Sequence, residues 1–167
     1  MKKIGYSVAI LMAVFCGGLI ILSSCGKNEN EMSYAGNFLF DQKELTLEHT
    51  ESRTVVKILG VEGLEDYVVP KDEYAWGAAS VRLFDSKEND IITEYRNTFE
   101  VINWDEHTNF NKYLNPFKGE FFSIENIDGD VHILLNENRD VERKLIIEIN
   151  GGPHGHGEIF ITQKGVE

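Results

Sequence analysis

The sequence predicts an all-β chain folded as an antiparallel β-sandwich of about seven to eight strands. Short runs of β-branched and aromatic residues recur at hairpin spacing from residue 43 onward. Polar or Asp-Gly breaks separate them. No stretch in that region keeps a 3.6-residue apolar period. Strands that follow one another without helices bury their apolar faces by packing sheet on sheet.

The chain opens on a different pattern. Lys2 and Lys3 form a basic head, residues 8–22 (VAILMAVFCGGLIIL) are apolar and uncharged, and Ser23 and Ser24 are small. That order describes an export signal, and the apolar run is short of the ~20 residues a membrane-spanning helix needs. Leu22-Ser23-Ser24-Cys25 resembles the bacterial lipobox. The resemblance implies removal of residues 1–24 and a lipid on Cys25, with the protein held at a membrane through that lipid. Each buried methylene adds ~0.8 kcal/mol and one acyl chain alone holds weakly, so stable anchoring implies several chains. Gly26 rather than Asp follows the cysteine, which by the same resemblance implies the outer membrane of a cell envelope. Residues 25–37 (CGKNENEMSYAGN) are polar and read as a flexible tether.

Cys16 lies in the signal and Cys25 carries the lipid, and these are the two cysteines. A disulfide, a thiol nucleophile and a cysteine zinc site are therefore excluded from the rest of the chain. Removing 24 of 167 residues leaves 143, enough for one domain, placed at 38–167. The 14 basic residues that remain face 28 acidic ones, a net charge of −14. Such a surface repels nucleic acid, which requires clustered Lys and Arg.

The strand signals come in order. Residues 43–48 (KELTLE) alternate polar and apolar, and 53–58 (RTVVKI) are β-branched. Residues 80–84 (SVRLF) alternate until the polar break 85–90 (DSKEND). Residues 91–103 (IITEYRNTFEVIN) are rich in β formers, with Tyr95, Phe99 and Val101 at even spacings. Residues 120–124 (EFFSI) lead to Asp128-Gly129, a strong hairpin signal. Residues 131–135 (VHILL), 143–149 (RKLIIEI) and 157–163 (GEIFITQ) complete the set.

The link between the last two runs, 150–156 (NGGPHGH), holds His154 and His156. Gly151, Gly152 and Gly155 permit positive φ and Pro153 sets a bend, so a hairpin loop is expected. Zinc needs three or four ligands, and the remaining ones would have to come from His107, His132 or distant carboxylates. His154 and His156 are thus weak metal candidates. No metal and no cofactor are expected.

The stretch 120–165 also carries a family likeness. Asn138 and Arg143 are five residues apart, an alternating strand follows the arginine, and the run closes on Ile161-Thr162-Gln163-Lys164-Gly165. This resembles the BACON-type domains, small immunoglobulin-like sandwiches of gut-bacterial surface lipoproteins and glycosidases. The resemblance implies an immunoglobulin-like fold and carbohydrate or mucin contact, or service as a spacer. It covers 120–165 well and 38–119 loosely. Asn138 is expected in a left-handed turn position, and Arg143 at the start of the penultimate strand.

Residues 102–119 (INWDEHTNFNKYLNPFKG) lack strand periodicity and read as an inserted loop. Trp104, Phe110, Tyr113 and Phe117 supply flat rings there, and Asn103, Asp105, Asn109 and Asn111 supply hydroxyl partners, the pairing that sugars require. Tyr67, Tyr74 and Trp76 form a second group. Loops on a rigid scaffold commonly carry binding, whereas buried aromatics also seal sandwich ends, and both alternatives stay open for each tryptophan. No Gly-x-Ser-x-Gly elbow or phosphate loop occurs, so no enzyme is expected. The expected role is a non-catalytic binding module for glycans. The alternative is a structural or accessory subunit of a larger outer-membrane complex.

Overall fold

The computed structural model describes residues 36–64, 66–71, 76–84, 90–103 and 109–166. Cys25, Tyr74, Trp104 and His107 lie outside them, as do the side chain of Phe110 and the signal. Ser33–Glu167 forms a compact unit with its own core.

Among the described residues twelve strands make up its framework: β1 (Phe38–Phe40), β2 (Glu44–Leu47), β3 (Ser52–Val61), β4 (Gly77–Phe84), β5 (Ile91–Arg96), β6 (Phe99–Asn103), β7 (Asn109–Tyr113), β8 (Phe117–Lys118), β9 (Phe122–Ile127), β10 (Asp130–Leu135), β11 (Arg143–Asn150) and β12 (His156–Gln163). One sheet runs β1-β3-β10-β9-β8, the other β2-β12-β11-β4-β5, and β6-β7 is a separate hairpin. Every pairing is antiparallel except β2 with β12, which is parallel. The orders β1-β3-β10-β9 and β12-β11-β4 reproduce the two sheets of an immunoglobulin sandwich, with β5 added beside the second as in its variable type.

Period-two alternation places the core. On β9, β10, β11 and β12 every second residue points inward: Phe122 and Ile124; Val131, Ile133 and Leu135; Leu145, Ile147 and Ile149; Ile159 and Ile161. All are buried, and Val56 and Val81 join them from β3 and β4. With no cysteine in this unit, aliphatic packing between the two inner faces holds the sheets together. Truncating one such Ile or Leu to Ala costs about 2–5 kcal/mol.

Three local expectations are corrected. The count exceeds seven to eight because β1 is short, because the run 91–103 divides into β5 and β6, and because residues 102–119, expected as a loop without strand period, contain β7 and β8. Their strand character lies in cross-strand pairing from Phe99↔Tyr113 to Asn103↔Asn109, which amide-rich composition conceals. Gly36 and Asn37, expected in the tether 25–37, are bonded into the domain: Glu62 N–H donates to Asn37 O (2.8 Å) and His156 N–H to Gly36 O (3.2 Å). Asn138 is not left-handed; among the described non-glycine residues that conformation belongs to Asp128 (φ 53°). Instead Asn138 is buried and its Nδ2 donates to Val141 O (2.9 Å) and Lys164 O (3.0 Å).

The Asp128-Gly129 turn forms as expected, with φ of 53° and 82° between β9 and β10. Arg143 does begin β11. Its Nε and Nη2 donate to Gln163 Oε1 at 2.8 and 2.6 Å, and Nη2 also donates to Asn136 O at 2.9 Å. The guanidinium lies 4.1 Å from the Phe121 ring centre. Gln163, fully buried, donates onward to Thr50 O and Asn136 O. These residues seal one end of the sandwich.

Candidate functional site

The opposite end is built by two connections and the β6–β7 hairpin. Register sets Asn150 opposite both Gly77 and His156, so the β11–β12 link and the start of β4 share that end. The β3–β4 connection (62–76) returns to it, and β7 packs beside both β4 and the β11–β12 link. In the variable-type immunoglobulin fold the corresponding connections form the binding loops.

The β11–β12 link is the expected hairpin, a 3₁₀ turn over Gly152–His154 between Gly151 and Gly155. Its hydrogen bonds run Gly151 N–H to Gly155 O (2.8 Å) and Gly152 N–H to Asn150 Oδ1 (2.8 Å). His154 is half-buried, its ring stacked 6.3 Å from that of Tyr67, and its Nδ1 meets the Tyr67 hydroxyl. Burial pushes the Tyr67 phenol above its ordinary range. The imidazole tautomer sets which of the two groups donates in this bond. This bond crosses 87 residues of sequence and ties the β3–β4 connection to the β11–β12 link. His156 is exposed at the start of β12, and His132 lies on the outer face of the other sheet, opposite Val55 and Glu125. Among the described residues no three His, Cys, Asp or Glu gather as a metal site.

The β6–β7 hairpin is anchored by asparagines. Asn97 Nδ2 donates to Ala78 O and Leu114 O, both at 2.8 Å, and Asn97 N–H to Ala79 O at 2.8 Å. Asn115 pairs with the Asn126 backbone in both directions (2.9 and 3.1 Å), and Asn126 Nδ2 donates to Trp76 O at 3.2 Å. Tyr113 lies on Gly77 so closely that a Cβ there would stand 2.5 Å from its own Cβ. Phe99, 51% exposed, sits 5.7 Å from the Tyr113 ring. These two rings, with Thr98, Glu100, Lys112, Leu114 and Asn115, line a cleft of about 470 Å³.

Of the residues expected to contact ligand, Tyr113 lines this cleft. Trp76 is corrected to the core: it is 3% exposed and packs with the buried cluster, leaving no face for a ligand. Phe110 lies on β7 next to the cleft, and Trp104 and Tyr74 fall outside the described residues. Two contributors escape a reading of the sequence: Phe99 carries only a strand signal, and the Tyr67–His154 contact has no local signal because its partners are far apart in the chain.

No family model matches this chain, and no curated protein matches it. Among solved structures it is similar to a protein from Bacteroides thetaiotaomicron determined by NMR. The identity is 13%, the coverage 86% of this chain and 99% of the other, and the TM-score 0.50. A xyloglucanase of Bacteroides ovatus in complex with a heptasaccharide matches at 12% identity over 75% of this chain and 18% of its own, TM-score 0.29. The first immunoglobulin domain of Dpr1, bound to that of DIP-eta, matches at 9% over 78% and 97%, TM-score 0.33. The first likeness speaks for the fold alone, and the scores of the other two are too low to bear on function. The chain is an antiparallel, immunoglobulin-like β-sandwich.

Proposed function

We propose that this protein is a lipid-anchored, non-catalytic binding module of the bacterial outer membrane, and that its loop end takes up glycans. The anchoring half of this reading rests on the Lys2-Lys3 head, the apolar run 8–22 and the lipobox-like Leu22-Ser23-Ser24-Cys25. The binding half rests on one observation: Phe99 and Tyr113 line an open cleft on a hairpin added to the binding-loop end of a rigid sandwich. An exposed ring offers its face to the C–H groups of a sugar, and the Glu100 carboxylate beside it accepts from hydroxyls. The asparagine anchors and the Tyr67–His154 bond hold these groups in place before a ligand arrives, which lowers the entropy cost of binding.

Affinity electrophoresis of residues 33–167 through gels containing different polysaccharides tests the binding half. Retardation by at least one glycan, lost in Phe99→Ala while circular dichroism stays unchanged, is the expected result. Equal mobility in every gel sinks the glycan reading and turns attention to the accessory-subunit role. Incorporation of labelled palmitate into the full chain, abolished in Cys25→Ala, tests the anchor.

A further inference from the structure

Four strands edge the two sheets: β1, β2, β5 and β8. Exposed edges invite pairing, and proteins usually protect them by making them short or irregular. β1 has three residues and a register shift, β2 has four and β8 two. β5 has six and, among the described residues, pairs only with β4. Ile91 and Ile92 on it are 52% and 60% exposed. Register slips at its first residues, where Ile91 rather than Ile92 stands opposite Phe84, so the regular ladder covers 93–96. Here Tyr95 points inward, its ring 5.8 and 5.3 Å from those of Phe121 and Phe122. Glu94 and Arg96 share the outer face, Arg96 Nε and Nη2 donating to Glu94 Oε2 at 3.0 and 2.9 Å.

We propose that β5 pairs antiparallel with β5 of a second copy, about a two-fold axis at Tyr95. Alternation restricts the register. A two-fold pairing that keeps outer faces on one side matches residues of the same parity, so the axis falls on a residue and not between two. An axis at Glu94 or at Arg96 sets each of these charges against its own copy, which destabilises. An axis at Thr93 draws the irregular Ile91 and Ile92 of both strands into the ladder. The axis at Tyr95 sets Glu94 of each copy opposite Arg96 of the other, two attractive pairs, with the two Tyr95 side chains adjacent on the core side. The segment is thus its own charge complement, and it is locally neutral in a chain whose net charge of −12 keeps copies apart elsewhere. That selects a second copy as the occupant. Few residues pair, so the dimer is weak in solution. Confinement on a membrane raises the effective concentration that forms it.

Sedimentation equilibrium of residues 33–167, the compact unit, tests the proposal without depending on what the loop end binds. A concentration-dependent monomer–dimer equilibrium is expected. Glu94→Arg and Arg96→Glu each place like charges opposite and should raise the dimer Kd roughly tenfold or more. The double variant Glu94→Arg/Arg96→Glu restores complementarity and should return Kd to the starting value. A monomer at every concentration up to about 1 mM overturns the proposal. So does a dimer that neither single reversal weakens, or one that the double variant fails to restore.

Discussion

Gln163 shows how much one buried side chain can hold. Its carboxamide oxygen accepts twice from Arg143 and its nitrogen donates to Thr50 O and Asn136 O, so it joins four parts of the chain. Leucine fills much the same volume but takes from the partly buried Arg143 guanidinium its carboxamide acceptor, and from Thr50 O and Asn136 O one of the two donors each has. Gln163→Leu should therefore cost about 2–3 kcal/mol, more than an ordinary surface substitution. A denaturant titration showing less than about 0.5 kcal/mol would mean that solvent replaces these bonds freely. Burial is also what raises the phenols of Tyr67 and Tyr95, in the second case with help from the Glu120 charge. The folded state then holds these protons more tightly than the unfolded chain. Their contribution to stability is whole below the ordinary tyrosine value of 10.0 and declines as pH rises past it. Ultraviolet titration should find the Tyr67 and Tyr95 phenols ionising late, with melting temperature falling over the same alkaline range. A late-ionising component that persists unchanged in Tyr67→Phe/Tyr95→Phe would contradict this.

At the level of the element, the β6–β7 hairpin depends on a residue that lacks a side chain. Gly77 admits Tyr113, and any Cβ there meets Tyr113 Cβ at 2.5 Å, an overlap that backbone or hairpin must relieve by moving. Gly77→Ala should displace the hairpin while the two main sheets persist. The expected readout is loss of glycan retardation with a melting temperature only a few degrees lower, about 1–3 kcal/mol. Retained binding would place the ligand elsewhere. The hairpin also marks the limit of local reading. Residues 143–149 and 157–163 alternate clearly because each has one face in the core and one in solvent. Among the hairpin residues whose side chains are described none is fully buried, and Phe99, Glu100, Val101 and Asn111 are exposed, so their composition obeys no inside–outside rule.

For the molecule as a whole, charge sets the background against which packing works. A net charge of −12, with no disulfide, means that aliphatic burial between two sheets must outweigh self-repulsion. Raising ionic strength screens that repulsion, so the melting temperature should climb between low salt and a few tenths molar sodium chloride. A flat or falling response would show that local pairs such as Lys164–Glu48 and Arg139–Glu137 already neutralise the surface.

The alternating runs of β2, β3, β4 and β9 to β12, the Asp128-Gly129 turn, the Gly-rich link after β11 and the lack of any cysteine in residues 26–167 were determined by sequence alone. Each follows from forces acting between residues two to five apart: alternation, backbone sterics and turn chemistry. Which aromatic becomes core and which stays open was decided only in three dimensions. Trp76 and Phe99 are alike in sequence terms, yet one is sealed beneath the sheets and the other faces the cleft. The same holds for Asn138, whose role depends on Lys164 O arriving from 26 residues away, and for Tyr67, which meets His154 across 87. Burial and hydrogen bonding are settled by neighbours in space, and the chain brings those neighbours together only when the two sheets close.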